Sequence, residues 1–112
     1  MNLLQKTLAS FWLFSLTSLA ADGDPKKGKQ LYQVCIACHG ANGQGNQALN
    51  APNLVGLQDW YLIRQLKYFK EGIRGTHPKD TFGAQMRPIA MTLSNDKAIT
   101  DVTAYITSLK SK

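Results

Sequence analysis

Apolar residues recur at the spacing of an amphipathic α-helix in three stretches of the chain. The first stretch covers residues 26–35 and follows Asp24 and Pro25, which suit the N-cap and the first position of a helix. The second covers residues 59–71 and ends before Gly72, a residue type that commonly terminates helices. The apolar stripe predicted for this second helix consists of Leu62, Leu66, Phe69 and Ile73.

The third stretch lies near the C-terminal end of the chain. Ser94 is the expected N-cap, and Asp96 then places a negative charge in the first turn, where the helix dipole favours it. The segments between the helices, residues 40–57 and 74–93, are rich in Gly, Asn and Pro and lack apolar periodicity, so we expect two long loops. The sequence therefore predicts an all-α domain with three main helices. The apolar flank of the last helix is formed by Ile99, Val102, Ile106 and Leu109.

The first twenty residues have the features of a signal peptide. Lys6 supplies a positive start, an apolar run of residues 8–19 follows, and Ser18 and Ala20 are small residues at the positions that a signal peptidase reads. We expect cleavage after Ala20, a mature domain of residues 21–112 and export to the periplasm. An uncleaved anchor is the alternative, although the apolar run is shorter than the ~20 residues that a spanning helix needs. A lipid-modified cysteine is excluded because no cysteine precedes Cys35.

The charge balance narrows the classes of partner. The full chain carries 13 Lys and Arg against 7 Asp and Glu, a formal net charge of +6. Lys6 is the only charged residue of the expected signal peptide, so the mature chain has a net charge of +5. A positive protein attracts acidic partners. Nucleic-acid binding has no support beyond the charge, because no recognition motif accompanies it.

The two cysteines of the chain form the run Cys35-Ile36-Ala37-Cys38-His39. Two cysteines at this spacing can form thioethers with both vinyl groups of one haem, and the following histidine can then bind the iron. A thioredoxin-like redox pair would require a βαβ pattern, which the sequence lacks. A zinc site would need two further ligands, and a structural disulfide would leave His39 without a role. The run therefore predicts one covalently attached haem c.

The iron of such a haem has a second axial position, for which the sequence offers Met86, Met91 and His77. Met86 lies in the predicted loop, where a large apolar side chain has no helical stripe to join. Met91 lies close to the last helix and is more easily explained as a core residue. The residues thus favour Met86 without excluding the other two.

Beyond the cysteine run, the chain resembles the class I c-type cytochromes of bacteria, specifically the small single-haem kind, and each half of the tandem two-haem cytochromes. The resemblance implies the small cytochrome c fold, with long loops wrapped around one covalent haem. It implies thioethers at Cys35 and Cys38, and iron ligation by His39 and Met86. The motifs that carry it are Gly28–Gly40, Ala51–Gly56, Trp60–Arg74, Gly83–Met86, Leu93–Ser94 and Val102–Ile106.

The resemblance also implies contacts that support the haem. The backbone carbonyl of Pro52 is expected to accept a hydrogen bond from Nδ1–H of His39. Gly28 and Tyr32 match positions at which the first helix crosses the last helix, near Val102 and Tyr105. The residues that hold the haem propionates do not carry over from the family, and the candidates are Trp60, Tyr61 and Arg64.

The function that these features predict is one-electron transfer between redox partners of a respiratory or related chain, without enzymatic activity. Such a carrier is expected to be a monomer that docks on acidic redox proteins. One alternative is a fixed electron-transfer subunit of a larger oxidoreductase. The other is a haem peroxidase or gas-binding protein, in which the second axial position opens.

Overall fold

The structure is a computed structural model that describes residues 23–110, so the signal peptide expected over residues 1–20 lies outside the described residues. Within residues 23–110 the chain forms helices and no β-strand, and the prediction of an all-α fold is confirmed. None of these helices has the length and apolar character needed to cross a membrane. The α-helices are α1 (Pro25–Leu31), α2 (Ile36–His39), α3 (Asp59–Glu71), α4 (Thr81–Met91) and α5 (Asp96–Ser108).

The first helix begins as the sequence predicts, but it ends earlier. The Asp24 carboxylate accepts a hydrogen bond from the Lys26 N–H at 2.9 Å, and Pro25 occupies the first helical position. A single turn of 3-10 helix, Tyr32–Val34, then separates α1 from α2. Because a 3-10 turn has about three residues per turn instead of 3.6, it changes the direction in which the following residues project. The cysteine run therefore lies outside α1, although Cys35 still packs against the core cluster.

The helices α1 and α5 cross with their backbones in contact. A Cβ atom added at Gly28 would lie 1.9 Å from the carbonyl oxygen of Asp101 and 2.8 Å from Cβ of Tyr105. Four residues after Gly28, the fully buried Tyr32 places its ring 5.3 Å from that of Tyr105. The crossing inferred for Gly28 and Tyr32 is confirmed. A glycine inside a helix costs about 1 kcal/mol in helix propensity. Gly28 occurs here despite this cost because no larger residue would fit the contact with α5.

The core lies where α1, α3 and α5 meet. On α3, Leu62 and Phe69 are buried as the stripe predicts, whereas Ile73 is 62% exposed. The expectation for Ile73 is wrong because α3 ends at Glu71 and Gly72 adopts a left-handed conformation, with φ of +76°. This conformation turns the chain out of the helical path. The buried core cluster comprises Tyr32, Leu62, Leu93, Ala98, Ile99, Val102 and Ile106.

Residues 81–91 form the helix α4, and the prediction of a continuous loop over 74–93 is wrong there. Gly83 and Pro88 read as helix breakers because glycine has low helix propensity and proline removes a backbone donor. Two features offset them: the Asp80 side chain caps the first turn, and Ala90 is buried near the other end of the helix. The tertiary contacts therefore outweigh the local propensity.

The N-cap of α5 is Asn95, not Ser94 as predicted. Its side-chain oxygen accepts a hydrogen bond from the Ala98 N–H at 2.9 Å, and Asp96 falls in the first turn. Asn and Ser are about equally good caps, so propensity alone does not choose between two adjacent candidates.

Asp101 is a buried carboxylate that joins α5 to the start of α1. It accepts a hydrogen bond from the Asp24 N–H at 2.8 Å, and Nζ of Lys97 lies 3.1 Å from both of its oxygens. The Asp24 N–H, assisted by Lys97, holds the pKa of Asp101 below its ordinary value, against burial, which raises it. The carboxylate therefore contributes stability that is present above the ordinary pKa of an aspartate and is lost as the pH falls through the lowered folded-state value.

We predict that Asp101→Asn lowers the free energy of unfolding by about 1–3 kcal/mol at neutral pH, because a charged acceptor is lost and a buried group is left poorly paired. The difference between wild type and variant should shrink in acid, where the wild-type carboxylate becomes protonated. Guanidinium unfolding of the holoprotein, followed by far-UV circular dichroism across the acid range, measures both effects. A difference that stays constant down to the lowest pH would contradict this account of Asp101.

Candidate haem site

The cysteine run lies at the junction of the 3-10 turn and α2. Cys35 ends the turn, donating its N–H to the Tyr32 carbonyl at 2.8 Å, and the His39 N–H donates to the Cys35 carbonyl at 2.9 Å. Both thiols are free, and the Cys35 side chain packs against the core, whereas Cys38 is exposed. The structure thus does not support a disulfide within the run, and it leaves both sulfurs available for attachment.

Two of the alternative interpretations of the run conflict with its surroundings. Burial, together with the neighbouring Cys38, raises the pKa of Cys35 to about 11. A thioredoxin-like pair needs a thiol whose pKa is lowered. No group of three or more His, Cys, Asp or Glu residues within residues 23–110 is arranged to hold a metal ion, so the zinc interpretation also lacks its ligands.

The imidazole of His39 is buried and held from one side. Nδ1 lies 2.9 Å from the backbone carbonyl oxygen of Pro52. A carbonyl oxygen can only accept, so this contact assigns the proton of a neutral His39 to Nδ1 and leaves a lone pair on Nε2. A histidine oriented by a carbonyl in this way is suited to bind a metal through its other nitrogen.

Hydrogen bonds within residues 39–54 bring Pro52 to His39. The Gly45 N–H donates to the His39 carbonyl at 2.7 Å, and the backbones of Asn46 and Ala51 exchange two hydrogen bonds, of 2.8 and 3.1 Å. The Asn46 side chain also accepts from the Ala48 N–H, which caps the 3-10 turn Gln47–Leu49. The loop predicted here is therefore a folded structure that presents a carbonyl to the histidine.

The Tyr32 side chain fixes the backbone just after the cysteine run. The sequence did not indicate this contact. Its hydroxyl donates to the Gly40 carbonyl at 2.6 Å, and burial raises its pKa to about 12. A buried tyrosine normally finds a partner for its hydroxyl. The presence of tyrosine rather than phenylalanine at a core position was the available signal.

The three candidates for the second axial position occupy different environments. Met86 is half-buried in the middle of α4, so its predicted location in a loop is wrong. Met91, expected in the core, is 51% exposed at the end of the same helix. His77 is exposed, and its Nδ1 accepts a hydrogen bond from the Lys79 N–H at 3.1 Å. The α4 helix packs mainly on α3, whereas α1, which leads into the cysteine run, packs mainly on α5.

The residues suggested for the propionates form one exposed cluster at the start of α3. The rings of Trp60 and Tyr61 are 6.0 Å apart, and the Arg64 guanidinium lies 4.9 Å from the centre of the Trp60 ring. A separate concavity of about 640 Å³ is lined by residues 44–47 and 50–53 and by Arg74 and Phe82.

Comparison with known proteins identifies the family to which the chain belongs. The family model for cytochrome c matches residues 25–110. The chain belongs to the cytochrome c family. The prediction of a class I c-type cytochrome is therefore confirmed, and the cofactor of this cytochrome is one covalent haem c with its iron.

The relatives differ in length. Cytochrome c-554(548) of Halomonas halodenitrificans is 38% identical over 86 residues, which cover 77% of the present chain and 96% of the relative. Cytochrome c4 of Pseudomonas aeruginosa is 37% identical over 109 residues, covering 96% and 50%. The "thiosulfate dehydrogenase electron acceptor" of Thiomonas intermedia is 42% identical over 76 residues, covering 68% and 31%. The cytochrome thus spans nearly all of the first relative, half of the second and less than a third of the third.

The residues of the site fit this cofactor. Two free thiols and an imidazole with an unprotonated Nε2 lie within five consecutive residues. Next to Met86, the buried Nε of Arg87 has no hydrogen-bond partner within the described part of the chain, and an anionic carboxylate is the kind of group that would satisfy it. The two thiols suit the vinyl groups of a haem, the imidazole suits its iron, and the Arg87 guanidinium is a candidate partner for a propionate.

We predict that the haem stays attached when the holoprotein is denatured and extracted with acidified organic solvent. Cys35→Ala and Cys38→Ala should each leave at most one thioether, with a lower yield of holoprotein and a shifted haem absorption spectrum in alkaline pyridine. Mass spectrometry of the denatured chain measures the attached haem directly. Complete loss of haem from the extracted wild-type protein would show that attachment is not covalent.

Proposed function

We propose that this cytochrome is exported to the periplasm and carries single electrons between redox partners of a respiratory or related chain, with its iron held by His39 and Met86. Bound haem supplies an iron that alternates between ferrous and ferric states. The observation that carries the proposal is the orientation of His39, whose Nδ1 is held by the Pro52 carbonyl while Nε2 stays free. The remaining residues of the site would keep the haem in place.

The role proposed for Met86 gains support from its place in a helix. The α4 helix is capped at one end by Asp80, and Ala90 and Leu93 are buried at the other end, so both ends of the segment are anchored. A thioether in the middle of such a segment is confined more strongly than one in an open loop. A soft sulfur ligand favours ferrous iron and raises the reduction potential.

A carrier function without enzymatic activity follows from the proposed ligation. Both proposed axial ligands are protein residues, which leaves no open coordination position for peroxide or a gas. The peroxidase alternative predicts rapid cyanide binding to the ferric protein, whereas the carrier should bind cyanide slowly, since Met86 must first leave.

The relatives named as electron acceptors of thiosulfate dehydrogenase, in Thiomonas intermedia and in Stutzerimonas stutzeri, motivate the second candidate function. In that case the cytochrome is a subunit that receives electrons from a fixed partner enzyme. Purification of the native protein distinguishes the two: a subunit copurifies with one oxidoreductase at constant stoichiometry, and a free carrier elutes alone as a monomer.

The assignment of Met86 predicts opposite results for two methionines of one helix. Met86→Ala should remove the near-infrared charge-transfer band from sulfur to ferric iron and lower the reduction potential, because the soft ligand is lost. Met91→Ala should keep the band, and since Met91 is 51% exposed, the free energy of unfolding should change little. Survival of the band in Met86→Ala together with its loss in Met91→Ala would assign the ligand to Met91.

The positive charge of the protein predicts salt-dependent electron transfer. The mature chain carries +5 before the propionates are counted, so oxidation of the ferrous protein by the anion ferricyanide should slow as ionic strength rises. Oxidation by a cationic cobalt(III) phenanthroline complex should accelerate over the same range. Stopped-flow measurement gives both rates. If neither oxidation rate depends on ionic strength, the electrostatic argument for an acidic partner surface fails.

A further inference from the structure

One carboxylate connects the turn that follows α3 to the first turn of α4. Oδ1 of Asp80 accepts a hydrogen bond from the Gly83 N–H at 2.9 Å, and Oδ2 accepts one from the Gly75 N–H at 3.0 Å. We call this pair of bonds the Asp80 bridge. Both bonds are charge-assisted, and the half-buried carboxylate is partly shielded from water, so each is stronger than a bond between neutral groups.

The backbone around the Asp80 bridge is packed without spare volume. A Cβ atom added at Gly75, where φ is +84°, would lie 2.5 Å from the Gly83 carbonyl oxygen and 2.9 Å from Cβ of Arg87. A Cβ atom added at Gly83 would lie 2.2 Å from Oδ2 of Asp80. The turn therefore rests directly on the backbone of α4, and the carboxylate fills the space between them.

The remainder of α4 increases the importance of this contact. Pro88 lies inside the helix and has no N–H to donate to the carbonyl of Ala84, so the helix loses a hydrogen bond just after Met86. The part of α4 that carries Met86 therefore depends more on its N-terminal turn than it would in an uninterrupted helix. Gly83, which donates to Asp80, precedes Met86 by three residues, which is less than one turn of helix.

We propose that Asp80 is the positioning residue for Met86: its carboxylate fixes the first turn of α4 against the turn after α3, and thereby holds the thioether at the iron. The inference rests on the proposed function, in which Met86 is the axial ligand. The hydrogen bonds of Asp80 go to the backbone of Gly75 and Gly83, so its effect on Met86 passes through the backbone of α4.

The other side-chain N-caps of the main helices offer a comparison. Asn95 caps α5 through the Ala98 N–H, within a helix that carries no proposed ligand. Asn95→Ala removes a helix cap without disturbing the turn after α3, so it is the matched control for Asp80→Ala. In Asp80→Asn the side chain keeps its shape but can accept only one of the two hydrogen bonds, because its second group is a donor.

Two measurements on the ferric holoprotein separate positioning from general stability. The first compares the guanidinium midpoint at which the sulfur-to-iron band disappears with the midpoint for loss of far-UV ellipticity. The second is the limiting rate at which saturating imidazole binds the iron, because imidazole can bind only after the thioether has left.

In Asp80→Ala we expect the midpoint for loss of the band to fall further below the midpoint for loss of ellipticity than it does in the wild type. We expect imidazole to bind about 5- to 30-fold faster, the factor that corresponds to weakening α4 by one to two hydrogen bonds. Asp80→Asn should show the same change to a smaller extent. Asn95→Ala should lower both midpoints together and leave the imidazole rate unchanged.

Gly83→Ala tests the Asp80 bridge from the other side. Helix propensity alone predicts that this substitution stabilises α4 by about 1 kcal/mol. The added methyl group instead has to displace the Asp80 carboxylate from its hydrogen bonds, so we expect faster imidazole binding and earlier loss of the band. Slower imidazole binding would show that propensity outweighs the bridge and would overturn the inference.

The remaining outcomes are also decisive. If the Asp80 variants match wild type in both measurements, or lower both midpoints together as Asn95→Ala does, Asp80 is not a positioning residue. If the band persists in Met86→Ala, Met86 is not the ligand, and the proposed function fails at that point together with this inference. Loss of the band in Met86→Ala with unchanged Asp80 variants overturns the inference and leaves the proposed function intact.

Discussion

At Gly28 the backbone of α1 lies against the carbonyl oxygen of Asp101 on α5, at a distance that admits no side chain. This contact fixes the position of the 3-10 turn and the cysteine run, because both follow directly after α1. Tyr32, fully buried beside this crossing, donates its hydroxyl to the carbonyl of Gly40, immediately after His39. The cysteines and the histidine are thus placed by two helices, α1 and α5, that contain none of these three residues.

The two sides of the proposed iron site are held by different kinds of structure. On the His39 side, the hydrogen bonds of residues 39–54 are short-range in sequence, and they present the Pro52 carbonyl to the imidazole. On the Met86 side, a helix interrupted by proline depends on the Asp80 carboxylate and on the buried side chains of Ala90 and Leu93. Segments with fewer buried contacts open more readily than the core. We therefore expect the Met86 side to open first.

Much of the fold was predictable because the signals were local. The Asp24 cap, the Gly72 stop and the stripe of α3 each depend on neighbouring residues. The helix α4 was not predictable in this way: Gly83 and Pro88 argue against a helix, and the compensating contacts come from the turn after α3. Ser94 and Asn95 are equivalent as caps by propensity, so only the tertiary structure chooses between them.

The same distinction applies to the site. Cys35, Cys38 and His39 are apparent from their spacing, because three bonds to one rigid ring must come from five consecutive residues. Pro52 came from resemblance to a family alone. Met86 was favoured both by that resemblance and by its place in a predicted loop, which the structure shows to be a helix. Asp80 was not identified at all, because its role depends on Gly75 and Gly83 meeting at one carboxylate, which only the folded chain shows.

Covalent attachment of the haem would allow the Met86 side of the proposed iron site to open without loss of the cofactor. A haem held only by its axial ligands would be released when both ligands let go, and a small domain has little apolar core with which to retain it. Thioethers at Cys35 and Cys38 would keep the haem against the α1 and α5 scaffold even while α4 is open. As the proposed ligand, Met86 would then set the reduction potential without also having to prevent loss of the cofactor. This separation of roles is consistent with a stabilising contact as local as the Asp80 bridge on the Met86 side.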